Sequence, residues 1–178
     1  MPSATLLELL DELASALAYT DALQVGLTAE QIAWRPSPES SGIGWHLGHQ
    51  GAVAHFMLRN LIAAEPRIDA DLEALMDSAT PEIDRGDLPS IDRIREYRST
   101  VAQRIRYRIG QIDDGAVGAP NQLRVIASTL LTAIINHEYQ HSTWISEIRT
   151  DTFGLEAVPC PTSSRLEIID GYVVLTGS

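Results

Sequence analysis

The sequence predicts an all-α fold, an antiparallel four-helix bundle with a small C-terminal β-hairpin, on three observations. Four segments of helical length repeat apolar residues at intervals of three and four. The connections between them are short or moderate, as bundles use. Near the end, Asp170-Gly171 lies between two β-branched runs, a hairpin signal rather than a helical one. With 178 residues, 44% of them hydrophobic and 21% charged, the chain reads as a single domain: a bundle over about 4–149 and a hairpin extension over about 150–178.

Each element has a local reason. The first helix, about 4–24, sets Leu6, Leu10, Leu13 and Leu17 on one face. Thr28-Ala29-Glu30-Gln31 has the form of a capping box, opening a short turn that Pro36 and Pro38 end. Ser40 or Ser41 is placed to cap the second long helix, about 42–63. The connection from Glu65 to Leu88 is acidic, with eight acids against two arginines, and has room for one short helix around 70–77. Ser90 would cap the third long helix, about 91–112, which aligns Ile91, Ile94, Val101, Ile105 and Ile112. Gly115 to Pro120 reads as a turn, and Asn121 as the cap of the fourth, about 122–149. There Leu123, Ala127, Leu130, Ile134, His137, His141, Trp144 and Ile148 follow alternating steps of four and three, the seam of a packed bundle helix.

Composition excludes several functions. The net charge is −11, so nucleic acid is not expected as the main partner. One cysteine, Cys160, leaves neither an intramolecular disulfide nor a cysteine-rich metal site. Glu8, Asp11 and Glu12 interrupt the first apolar stretch, which is unlike a secretory signal, and no apolar run approaches the roughly 20 residues that span a bilayer. A cytoplasmic protein without membrane contact is expected. The third long helix carries six arginines against two acids, read as a solvated face that pairs with the acidic connection. Arg98 and Arg108 fall nearest its apolar stripe and are its two candidates for binding a substrate anion.

The histidines carry the chemistry. His137 and His141 are one turn apart on the seam, at the reach for two imidazoles to share a metal ion. His49, on the second long helix, shares a stripe with Ala52, Val53 and Phe56 that should face the interior. His49, His137 and His141 are therefore the candidate metal ligands, leaving coordination positions open for water or substrate. His46 is expected first to pack or to cap, with an alternative metal ligand or the support of one as its other roles, and His55 to lie at the surface or its boundary. His137-Glu138-Tyr139-Gln140-His141 also spells the H-E-x-x-H of zinc peptidases, in which the glutamate is the general base. The further glycine and histidine of the extended peptidase pattern are missing, a glutamate ligand would have to come from Glu167, and Glu138 is placed on the bundle surface, one residue off the seam.

Trp34-Arg35-Pro36, Ser41-Gly-Ile-Gly-Trp-His-Leu-Gly-His49 and Asn136-His-Glu-Tyr-Gln-His141 together resemble, in order and separation, the DinB-like metalloprotein superfamily over about residues 4–149. That resemblance implies a four-helix bundle, frequently a homodimer, holding a divalent metal on three histidines that match His49, His137 and His141. The N-terminal domain of ergothioneine-forming sulfoxide synthases is similar, but their larger second domain has no counterpart here. Thiol-dependent enzymes of the superfamily, the mycothiol and bacillithiol transferases among them, imply a small-molecule substrate and a low-molecular-weight thiol. Three imidazoles suit zinc or nickel, then iron, and favour an anionic further ligand such as a thiolate or hydroxide. The alternative is a non-catalytic metal-binding module for stress response that acts through assembly.

Overall fold

The computed structural model describes residues 4–62 and 65–176. Four long helices form the bundle: α1 (Leu6–Leu23), α3 (Ile43–Leu61), α5 (Ile91–Asp113) and α6 (Pro120–Glu147). Two short ones, α2 (Ala29–Ala33) and α4 (Ala70–Leu75), sit in the connections. The tail forms the two-stranded antiparallel sheet β1 (Leu166–Ile169) and β2 (Tyr172–Leu175). The all-α bundle with a terminal hairpin is thus as the sequence predicts.

Caps explain most of the boundaries. Thr5 and Thr28 form capping boxes with Glu8 and Gln31, and Ser90 accepts from the Arg93 amide. Asp69 does the same for α4 through the Leu72 amide. Two expected caps are replaced. Gly42, not Ser40 or Ser41, is the N-cap of α3, because a Cβ there would meet the Trp34 carbonyl. Ala119, in left-handed backbone with Pro120 at the first helical position, starts α6 in place of Asn121. The expected end of the second long helix at residue 63 lies outside the described residues; α3 closes at Leu61.

Two helices run each way. Thr20 and Leu23 of α1 meet Glu138 and Arg149 at the far end of α6, so these neighbours are parallel. Leu47 and Gln50 of α3 meet Arg98 of α5, and Glu65, just past α3, meets Arg104 and Arg108 further along, so this pair is parallel too. Between the pairs the directions oppose, with His46 beside His141 and Gln50 beside Glu138. A parallel pair needs a connection that travels back along the bundle, and residues 65–90 run along that return. Their acids fasten it: Asp69 takes a bidentate pair from Arg93, and Glu65 accepts from Arg108 at 2.6 Å. The expected pairing of acidic connection and arginine-rich helix holds, but Arg108 is thereby spent on structure rather than on a substrate anion.

The buried row of α6 is displaced from the apolar seam. Leu131, Ile134, Ile135, Glu138, Ser142 and Ile145 are buried, whereas Leu123, Leu130, His137, Trp144 and Ile148 are half-buried. Beyond Glu147 the chain makes a π-helical turn, Ile148–Thr152, from which Arg149 donates to the carbonyls of Leu23 and Val25 and closes the end of α1. The hairpin turns on Asp170 and Gly171, both at positive φ. It docks on α6 through Leu175, whose amide donates to Asn136, and through Tyr172 against Trp144. Arg165 and Ser163, just before it, bond Glu8 and Glu12 of α1.

Candidate metal centre

The first half of α3 and the second half of α6 bring their histidines together. One ring nitrogen each of His49, His137 and His141 lies within 4.8 Å of the others. His49 and His141 are buried and His137 is half-buried. The centroids of His137 and His141 are 4.4 Å apart, and that of His49 is 5.2 Å and 4.9 Å from them.

The rings are held from outside. The Met76 carbonyl, just past α4, lies 2.7 Å from His49 Nδ1; a carbonyl can only accept, so Nδ1 carries the proton and Nε2 keeps its lone pair. Gly48 makes room for that approach, since a Cβ there would stand 2.4 Å from Met76 Sδ. His46 Nδ1 sits 2.9 Å from His141 Nδ1, so one of the two rings donates to the other; with His141 as donor, its Nε2 keeps a lone pair for a ligand. His46 is thus a supporting partner, in line with one of its expected roles. Trp45 stacks on His49 at 4.4 Å, and Trp144 meets His141 edge-on at 4.8 Å.

Burial keeps these imidazoles neutral. It pushes His137 down to about 4, with His49 adding to the effect. It lowers His46 to about 4 and His141 to about 2, neighbouring imidazoles contributing to both. His49 is lowered by burial as well, partly offset by its bond to Met76. Neutral imidazoles are the form that binds a transition metal, so the donor set fits a divalent ion.

One residue along the chain from each candidate ligand, the side chains do the opposite work. Glu138 is 3% exposed and takes a 2.7 Å bond from Arg98, itself 6% exposed, and a 2.6 Å bond from Thr20. Gln50 accepts from Arg98 and donates to the Glu138 carbonyl, and Ser142 lies 2.7 Å from Thr20. Adjacent helical residues point about 100° apart, so fixing Gln50, Glu138 and Ser142 on the bundle axis aims His49, His137 and His141 at the same end region.

Three expectations are corrected here. Glu138 is not on the surface; its carboxylate is held by Arg98, which removes the free base that the H-E-x-x-H reading needs, and Glu167 is exposed on β1. Arg98 is buried and its guanidinium is engaged by Leu47, Gln50 and Glu138, so it serves the bundle interior first rather than a substrate anion. His55 is fully buried, its Nδ1 2.7 Å from Glu73 of α4, with the Tyr97 hydroxyl also bonding Glu73.

A helical bundle whose interior histidines converge at one end belongs with the metal-binding bundles. The chain is a member of the DinB superfamily, whose sequence model matches residues 12–145. A comparison with curated proteins finds no match.

Proposed function

We propose that His49, His137 and His141 ligate a divalent transition metal, zinc or nickel first and iron next, in an enzyme that activates a low-molecular-weight thiol or water. The observation that supports this reading is the set of three neutral imidazoles within 4.8 Å, a group that contains no carboxylate. An ion held by three uncharged ligands keeps its full positive charge and would draw an anion, and its Lewis acidity lowers the pKa of a thiol or water that reaches it. The chain's own part is to hold the rings: Met76 sets the tautomer of His49, His46 bonds His141, and Trp45 and Trp144 screen them from bulk water. S-transfer from a small thiol to an electrophilic substrate is the reaction class proposed, and hydrolysis the neighbouring one. A homodimer is part of the same proposal, with exposed Phe56, Val125 and Ile126 as apolar surface available to it.

Elemental analysis of wild type and His49→Ala tests the ligand set. About one metal per chain is expected in the wild type and none in the variant; metal-free wild type would overturn the reading. A thiol-conjugation assay on His137→Ala stripped of metal tests the enzyme reading, which activity surviving there would sink.

A further inference from the structure

A cavity of about 410 Å³ opens between the α2 region, the first turn of α3 and the 85–89 segment. Trp45 and Met76 line it and also touch His49, so one wall separates it from the imidazoles. Two guanidiniums line it as well. Arg35 is held by backbone oxygens: Nε donates to Ser40 at 2.9 Å, and Nη2 to Pro38 and Glu82. Those bonds consume the protons of Nε and Nη2 and leave both protons of Nη1. Arg85 is 7% exposed; it donates to the Thr80 carbonyl and to Ser41, and its carboxylate neighbour, Glu82, is 3.4 Å away and 41% exposed.

The wall therefore carries two positive charges, Arg35 and Arg85, against Asp87 on the lining and the partly exposed Glu82 beside Arg85. Burial pushes the Arg85 guanidinium below its ordinary range, and Arg35 adds to this while Glu82 opposes it. Arg85 lies 3.8 Å over the Trp45 ring, which fixes its plane. Ser41 and Gly42 also line the cavity where α3 begins without a side-chain cap, so the positive end of a 19-residue helix adds to the field. Asp87, on the lining, tempers it. The free Nη1 protons of Arg35 and the half-enclosed guanidinium of Arg85 suit a planar or tetrahedral oxyanion that takes paired N–H bonds.

We infer that this cavity binds the carboxylate or phosphate group of a small molecule through Arg35 and Arg85, with the molecule's apolar part against Ile32, Leu75 and Leu88. The site stands whether or not the imidazoles carry a catalytic ion, and nothing in it is a candidate metal ligand.

Calorimetric titration of the purified protein with succinate, inorganic phosphate and the uncharged control butane-1,4-diol tests this. Saturable binding of one oxyanion at a single site is expected, with succinate and phosphate distinguishing the two chemistries, and none for the diol. Arg85→Gln should weaken binding about tenfold or more, as loss of a charge-assisted bond does. Asp87→Asn, an exposed change that leaves the packing alone, should tighten it about two- to threefold by removing a repelling charge. His137→Ala should bind like wild type. The inference is overturned if neither oxyanion saturates, if the diol binds equally, if Asp87→Asn leaves the affinity unchanged, or if His137→Ala abolishes binding and so places the anion on the metal. Circular dichroism checks that Arg85→Gln folds; where it does not, Asp87→Asn and His137→Ala decide.

Discussion

Between His137 and Glu138 a single peptide separates a half-buried imidazole in the metal cluster from a carboxylate locked on the bundle axis. Glu138 is a buried ion-pair partner, so Glu138→Ala should cost about 3–5 kcal/mol, because it strands the Arg98 charge. The double change Arg98→Met with Glu138→Leu should lose far less, and urea unfolding of the three proteins measures the difference. Equal losses in single and double variants would show that the pair carries no such strain. The same residues mark what was legible in the sequence. The spacing of His137 and His141 announced a shared target, but the stripe used to place His49 does not face the interior: Phe56 is exposed and Ala52 and Val53 are half-buried, while His49 itself is buried. Glu138, Ser142 and Gln50 were hidden because hydropathy assigns polar side chains to the surface, while here they satisfy one another inside. His55 was hidden for a related reason: its partner Glu73 comes from the crossover, whose sequence carries no periodicity that could pair it with α3.

Among the elements, the long helices and the hairpin were readable because period and turn residues both point to them. The start of α3 was not, since a glycine cap leaves no side-chain signature; its reason is contact with Trp34. Gly48 did carry a signal, because a glycine inside a helix costs about 1 kcal/mol relative to alanine and is kept where something must come close. That something is Met76, which is 1% exposed and has no room to retreat. Gly48→Ala should therefore destabilise by about 1–3 kcal/mol from overpacking, despite better helix propensity. It should also weaken metal binding about 10- to 100-fold as the Met76 carbonyl leaves His49. Thermal melts and competition with a chelator read the two effects separately, and an unchanged melt would remove Gly48 from this role. Asp69 joins two jobs, capping α4 and binding Arg93, which hold its carboxyl below the usual range, Arg93 being the larger cause. Asp69→Ala should cost about 1 kcal/mol by loss of the cap, seen as a lower urea midpoint; wild-type stability would mean that α4 does not depend on this cap.

For the whole molecule, four imidazoles kept neutral by burial tie stability to pH. Their folded values lie below the ordinary 6.5, at about 4 for His46 and His137 and about 2 for His141. The unfolded chain takes up protons that the folded chain refuses, so stability is full above about pH 6.5 and falls as pH drops from there towards the folded values. Each imidazole contributes up to about 1.4 kcal/mol per pH unit in that window. Urea midpoints of chelator-treated protein at pH 7, 6 and 5 should decline, and a flat series would contradict neutral burial.

The parallel pairing of α1 with α6 has a bearing on how the chain is made. Thr20 and Glu138 touch across 118 residues of sequence, and α1 has α6 as its main neighbour. As the polypeptide leaves the ribosome, α1 emerges before α3, α5 and α6 and waits for α6 before that face is covered. The imidazoles obey the same timetable, because two of the three arrive with α6. Assembly thus depends on long-range encounters, which slow folding relative to bundles of sequential hairpins, and any ion bound by all three histidines enters only after α6 has been made, when the bundle itself closes.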